Sequence, residues 1–379
     1  MMSCTMPKKP LIELLGVWLP NKGSELMLHT VRQELGKRIE DVSFAIQSNE
    51  SFQSESRFKK LQKCALSSNS LLDKIFQRNL PDQKMVTDSQ ITHYIDISGF
   101  AYGDPWGVKK ARKRLGSKVK KLKQKGKPFY LLPQAFGPFT DSQLQREMKL
   151  IGSNASLLCA RDSVSLTHLR ELGIENVEQF PDITFALDTK NCNAPEIKNS
   201  PYGCLIVNNK LISSKTMQKN DLLSLFSGSG KLMQKHGISP QVLLHEPKED
   251  KDLANELAKS LICPIIELED ARDIKNFIKH SYITITARFH GLVSALSTGT
   301  PAMAVGWSHK YKELLSDFDA DHLVFNGDTE KFLDDLDTLL VSDKNHQKVS
   351  KQFQITATKQ TQKLSNLFDR LALNINSTM

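Results

Sequence analysis

The sequence predicts an α/β fold of two open, parallel-sheet halves with a cleft between them. Three observations predict it. An apolar run, a Gly-containing turn and a helical stretch follow one another at the start of the chain. A turn-dense segment interrupts the chain near its middle. Beyond it, the alternation of strand and helix begins again.

The first apolar run, Leu11 to Leu19, reads as a buried strand. Asn21-Lys22-Gly23-Ser24-Glu25 is a polar turn, and Leu26, Leu28, Val31 and Leu35 give Glu25 to Ile39 a helical period. Residues 46–90 are polar, with Leu71, Leu72 and Ile75 marking a short helix. Tyr94 to Phe100 reads as a strand entering a loop through Trp106, and a basic helix follows. Pro128 to Leu132 is a strand ending in Pro133-Gln134-Ala135-Phe136-Gly137-Pro138. Leu157 to Ala160 is a strand ending at Arg161-Asp162, and Ser163 to Leu172 is a helix stopped by Gly173. Val177 to Phe180 leads into Pro181-Asp182.

From Asp188 to Gly203, Asn191, Asn193, Pro195, Asn199 and Pro201 crowd together as a linker would. Strands are then expected at Cys204 to Val207, Gln241 to His245, Pro264 to Leu268, Tyr282 to Thr286 and Pro301 to Val305. Helices are expected at Leu222 to Lys235, Asp250 to Ser260, Ala271 to His280 and Gly291 to Ser297. The expected division is a first domain over 1–190, a linker over 191–203, a second domain over 204–342 and a helical tail over 343–379. Loops at the carboxyl ends of both sheets would face the cleft.

With 379 residues, 39% hydrophobic and 25% charged, the chain has the composition of a globular protein and not of a collagen-like, disulfide-dense or disordered one. Its charge of +9 is concentrated. Residues 109–127 hold eleven Lys and Arg and no acid, and without them the net charge falls to −2. The apolar residues of this stripe, Val108, Ala111, Leu115, Val119 and Leu122, have helical spacing, so one face packs while the rest is cationic. Two readings stay open for it: a solvated lysine face, or attraction to an anionic membrane surface or phosphorylated lipid carrier. Nucleic acid is not expected, because no aromatics interleave the basic residues.

The six cysteines form no C-x-x-C pair and match no zinc spacing, so reduced thiols in a cytosolic protein are expected, and no metal. No run reaches the roughly 18 apolar residues of a membrane span. The expected location is therefore cytoplasmic, with any membrane contact peripheral at the inner face. The oligomeric state is not legible.

The sharpest segment is Ile283-Thr284-Ile285-Thr286-Ala287-Arg288-Phe289-His290-Gly291, a buried strand ending in Arg, His and Gly where a helix begins. Free N–H groups at the helix start and the planar fork of Arg288 suit an anion. His290 beside them suits proton transfer. Arg161 ends a strand in the first half in the same way, with Asp182 as an alternative partner. Lys310 follows the last strand of the second half. Three cations brought to one cleft imply a small, highly anionic substrate.

Taken together, Arg161-Asp162 with Ser165, Leu172-Gly173-Ile174, Pro181-Asp182, Arg288-x-His290-Gly291, Gly299-x-Pro301 and Lys310 resemble the polysaccharide pyruvyl transferase family. The turn Asn21-Lys22-Gly23-Ser24-Glu25 and the segment Gln134-x-x-Gly137-Pro138 are similar to that family's as well, although Ser24 stands where Asp is more usual. The resemblance implies a GT-B-like pair of Rossmann-like domains. It also implies transfer of a pyruvyl group from phosphoenolpyruvate to two hydroxyls of a cell-surface polysaccharide or its lipid-linked precursor, giving a cyclic ketal and phosphate with no cofactor. Phosphoenolpyruvate, a carboxylate plus a phosphate monoester, needs several fixed cations.

On this reading the catalytic residues are His290, Arg161, Arg288 and Lys310, with His290 moving protons and the cations holding carboxylate and phosphate. Phe289, Gly291, Asn21, Gly23, Glu25, Gln134, Asp182 and His245 are the substrate-binding candidates. His245 and Asp250 follow a strand and either line the cleft or sit in a solvated loop. Two rivals remain: a GT-B-type nucleotide-sugar glycosyltransferase or epimerase on the same plan, and a non-enzymatic binding module working through residues 109–127.

Overall fold

The computed structural model describes residues 9–47, 58, 61–64, 85–193, 201–306 and 309–379. The chain forms two compact units: Met1–Leu19, Met27–Leu187 and Lys363–Met379 make the first, Pro20–Leu26 and Asp188–Gln362 the second. The expected helix around Leu71, Leu72 and Ile75 and the middle of the expected linker lie outside the described residues.

Among the described residues, the first unit carries a nine-stranded parallel sheet. Its strands are β1 (Leu11–Leu15), β2 (Ser43–Ile46), β3 (Leu61–Cys64), β4 (Met85–Val86), β5 (His93–Asp96), β6 (Phe100–Tyr102), β7 (Phe129–Phe136), β8 (Leu157–Ala160) and β9 (Val177–Gln179). Their order is β4-β3-β2-β1-β5-β7-β8-β9, and β6 pairs with β7 beside this path. Strands β1, β5, β7 and β8 are buried almost throughout, as parallel strands covered on both faces must be.

The single strand expected over Tyr94 to Phe100 is two. Asp96 at the end of β5 accepts hydrogen bonds from the Ser98 amide (2.8 Å) and the Ser98 hydroxyl (2.5 Å), which turns the chain before β6. Strand β1 ends at Leu15 and not at Leu19, because Gly16 turns the backbone into the left-handed region (φ 89°). Gly173 does the same (φ 76°) after the helix Ser163–Glu171, in the stop position read from the sequence.

The basic helix is present in three joined pieces: Gly107–Ala111, a π turn over Arg112–Gly116, and Ser117–Gln124. Ala111, Leu115, Val119 and Leu122 are buried in the core of the first unit, and Val108 packs against it. Leu115, Val119 and Leu122 each contribute about 1.5–3 kcal/mol by this burial. This burial, not the lysines, holds the helix.

The second unit has a five-stranded parallel sheet ordered β12-β11-β10-β13-β14. The strands are β10 (Tyr202–Ile206), β11 (Ser239–Leu244), β12 (Ile265–Glu267), β13 (Ile283–Thr286) and β14 (Ala302–Ala304). The chain starts in the middle strand, winds one way to β12 and then returns to β13 on the other side of β10. The loops leaving β10 and β13 therefore diverge, and in open α/β sheets ligands bind at the crevice this reversal creates.

Helices Lys219–Lys235, Pro247–Leu261, Ala271–Lys279 and Phe289–Thr298 belong to this unit, each starting two to three residues earlier than expected or at the expected place. The helix Asp343–Ser377 contributes its part through Gln362 here and its remainder to the first unit, so the tail expected as one body is divided. Tyr202 and Gly203, expected in the linker, already form β10.

Candidate functional site

Three of the four residues expected to carry chemistry lie in the second unit. Arg288 is the N-cap of the helix Phe289–Thr298, directly after β13, and no side chain caps that helix. The partial positive charge of the helix start therefore stands at this corner with no side-chain cap against it. The Arg288 amide donates to Thr286 Oγ1 (3.0 Å), and the same hydroxyl donates to the Arg288 carbonyl (3.0 Å), fixing the corner. Ala287 just before it is held by Asn208 Nδ2 (3.0 Å) and by the Tyr311 hydroxyl (2.9 Å), both donating to its carbonyl.

The Arg288 guanidinium is gripped along one edge. Its Nε donates to Asp250 Oδ2 (2.9 Å) and its Nη2 to Asp250 Oδ1 (2.7 Å), with Glu249 a third, longer partner (3.3 Å). Asp250 is buried in the first turn of the helix Pro247–Leu261, and its Oδ1 also accepts the Asn209 amide (2.9 Å). Burial raises the Asp250 pKa, and the Arg288 charge beside it offsets part of that rise. No protein group engages Arg288 Nη1 among the described residues, so that end of the fork is available to a ligand.

His290, half-buried, stands on the same first turn. Phe289 meets its ring edge-to-face (centroids 5.6 Å) and meets Tyr311 in the same way. Lys310 places its Nζ 4.9 Å from the Phe289 ring centroid, so this cation also sits at the helix start. Gly291 is buried, and a Cβ there would press on Thr286 Oγ1 and Ile206. Its part is to let the helix close on the sheet. Phe289 is buried too, packed between His290 and Tyr311.

His245 directly follows β11 and is 4% exposed. The sequence left open whether it lines the site or sits in a solvated loop, and it is buried. Its Nε2 has no hydrogen-bond partner among the described residues. Burial first, then the charges of Arg288, His290 and Lys22, push its pKa well below the usual imidazole value, so it is neutral. These neighbours put His245 within electrostatic reach of the β13 corner.

The turn before the first helix belongs to this unit. Gly23 lies against the His290 imidazole so closely that a Cβ would overlap Nδ1. Asn21 Oδ1 accepts the Ser24 amide (3.0 Å), which starts the helix Lys22–Gly36. Lys22 pairs with Glu25 (3.3 Å) and donates to the Glu269 carbonyl. Glu25, fully buried, also accepts from the Ala271 amide (3.3 Å). The structure therefore gives Asn21 and Glu25 backbone-holding partners, and it gives Gly23 a place against a site residue.

Arg161 lies in the first unit, after β8. Its Nη1 donates to Asp182 Oδ2 (3.0 Å), and both side chains are buried. Asp182 Oδ1 accepts from the Thr184 amide and hydroxyl, capping a short helical turn. Gln134, on β7 of the same sheet, is fully buried, and neither amide atom has a partner among the described residues. Such a group is costly unless a ligand or water satisfies it.

Sequence reasoning missed Lys22 and Glu246. Glu246 follows His245, is 6% exposed, and makes no side-chain hydrogen bond to any described residue. Desolvation lifts its pKa to about 7, against the opposing pull of Arg288. The signal available was an acid directly after a strand, before Pro247 at a helix start.

The family model for polysaccharide pyruvyl transferase matches residues 21–309. No curated protein sequence matches the chain. Among solved structures, the chain is similar to UDP-GlcNAc 2-epimerase from Neisseria meningitidis bound to UDP-GlcNAc (TM-score 0.59, 13% identity, 94% of this chain and 99% of that one). A glycosyltransferase from Rickettsia africae is similar as well (TM-score 0.58, 13% identity, 97% and 98% covered). So is UDP-N-acetylglucosamine 2-epimerase from Rickettsia bellii (TM-score 0.52, 12% identity, 96% and 98% covered). At these identities the likeness shows the fold, two Rossmann-like units of GT-B type, and no activity.

Proposed function

The chain belongs to the polysaccharide pyruvyl transferase family, and from that premise we propose that it transfers the pyruvyl group of phosphoenolpyruvate to a diol of a polysaccharide or its lipid-linked precursor. The observation that carries the reading is the β13 corner. An uncapped helix start, the open Nη1 of Arg288 and the ammonium of Lys310 meet there beside His290. That set suits a compact ligand carrying both a carboxylate and a phosphate.

The donor's phosphate and carboxylate bind at this corner, held by Arg288, Lys310 and the first-turn amides. His290 accepts the proton of the attacking hydroxyl and returns it to the departing phosphate. Positive groups fixed beforehand around the leaving oxygen lower the barrier as its charge grows. Arg161, its orientation set by Asp182, is proposed as a substrate ligand of the first unit. Gln134 is proposed as an acceptor-side group.

The test is titration calorimetry with phosphoenolpyruvate, with UDP-GlcNAc as the competing nucleotide sugar. Binding of phosphoenolpyruvate alone is expected, weakened about 100-fold in Arg288→Gln as one charged contact is lost. His290→Ala should retain binding and lose about 10²–10⁴ in turnover, read as ketal product by mass spectrometry. Binding of UDP-GlcNAc and not of phosphoenolpyruvate would favour the nucleotide-sugar reading.

A further inference from the structure

Pyruvyl transfer moves two protons, and one imidazole handles only one of them at a time. Two hydroxyls lose their protons, the methylene carbon gains one to become a methyl, and the departing phosphate gains the other. A carrier that begins the cycle protonated is therefore needed beside one that begins it free. On the pyruvyl-transfer reading, we propose that Glu246 is the second proton carrier and delivers the proton to the methylene carbon of the donor.

The placement supports this. Glu246 stands two residues past β11, as the N-cap of the helix Pro247–Leu261, whose first-turn Asp250 holds Arg288; β11 lies next to β10 in the second unit's sheet, and β10 in turn pairs with β13. Its side chain is nearly buried and bound to no described residue, so it is not holding the fold together. The charged groups that face it are Arg288 from the end of β13, Lys22 from the 20–26 turn, and Glu249 and Asp250 from the helix that follows it. His245 adjoins it in the chain and is neutral. Burial, opposed by Arg288 and assisted by the two neighbouring carboxylates, lifts its pKa to about 7, which suits an acid working near neutrality.

The steps balance without any other reactant. Glu246 gives its proton to C3 as the C2–C3 π pair forms the new C–H bond, leaving C2 oxocarbenium-like. The first hydroxyl oxygen bonds to C2 and its proton passes to His290. The C2–O bond to phosphate breaks with its electron pair on the phosphate oxygen, which takes the proton from His290. The second hydroxyl oxygen closes the ketal at C2, and its proton returns to the Glu246 carboxylate.

The experiment compares full-length wild type with Glu246→Gln and Glu246→Asp. Isotope-edited infrared spectroscopy on protein carrying ¹³C-carboxyl glutamate reads the proton directly. A protonated-carboxyl band is expected at about pH 6, lost by about pH 8.5 and absent from Glu246→Gln. Phosphoenolpyruvate affinity by calorimetry should be nearly unchanged in Glu246→Gln. Turnover with methyl β-D-galactopyranoside as the diol should fall by about 10²–10⁴, with part of it recovered in Glu246→Asp. Turnover of Glu246→Gln equal to wild type, or no protonated-carboxyl band at about pH 6, overturns the proposal. A wild type that binds no phosphoenolpyruvate overturns the pyruvyl-transfer reading, and the proposal with it.

Discussion

Arg288 offers a ligand one nitrogen, because Asp250 occupies the other two along a single edge. A buried carboxylate in that position fixes direction more than it adds charge. Asp250→Asn keeps the shape and removes one negative charge, so the surroundings of Arg288 become more positive by one. Affinity for phosphoenolpyruvate should hold or tighten, while turnover falls about tenfold or more as the fork loses its charge-assisted anchor. Parallel measurement of Kd and kcat checks this; a loss of affinity with turnover intact would contradict it. Arg288, His290 and Lys310 were legible in the sequence because each follows a strand, and the corner they form is local. Lys22 and Glu246 were not, and for Asp250 the sequence left the cleft and a solvated loop open, because these residues reach that corner only through the register of β11, β10 and β13 and through a turn more than 200 residues away in the chain. Gly23 was read as a contact for substrate, yet its missing side chain is what lets the chain lie against His290.

The helix over residues 107–124 shows what periodicity can reveal about an element and what it cannot. The spacing of Val108, Ala111, Leu115, Val119 and Leu122 identified the packed face correctly. It gave no sign of the π turn, which shifts the register by one residue around Arg112–Gly116. The residue count also overstated the available charge: Arg112 pairs with Glu147, Lys118 with Glu13 and Lys121 with Asp88. Lys109, Lys113, Lys120 and Lys123 are exposed. Changing these four to Gln should move the unfolding free energy by less than about 0.5 kcal/mol per site. Leu115→Ala should cost about 2–5 kcal/mol. Co-sedimentation of the two proteins with phosphatidylglycerol vesicles separates the open readings. Lost binding in the four-Gln variant alone supports attraction to an anionic surface, and no binding by wild type supports a solvated face.

For the whole molecule, acid should weaken the fold, and the window follows from its buried titrating groups. His93, bound to Thr92 and Thr378, has its pKa lowered to about 4 by burial, and His245 lies well below its usual value. Both take up a proton on unfolding once the pH drops below about 6.5, so both favour the unfolded chain there. Glu246 acts the other way: folded, it keeps its proton up to about 7, so unfolding releases one between about 7 and 4.5, and acid favours the native state at this residue. Glu13 and Asp250, their pKa values raised by burial, join Glu246 on the acid side, so the loss of stability between about 6.5 and 4.5 is partial and grows when one of these acids is removed. Thermal melts should show Tm dropping over that range, and dropping more steeply in Glu246→Gln, where one opposing group is gone. Equal slopes in wild type and Glu246→Gln would mean that Glu246 titrates at its usual value. The two-unit α/β plan was legible because its strands and helices alternate in plain order. The allocation of residues 20–26 to the second unit was not, since nothing local marks it. That allocation bears on recombination between relatives. A chimera crossed over only near residue 188 would set one parent's glycine turn against the other parent's histidine, so a working hybrid must inherit residues 20–26 and 188–362 from the same ancestor.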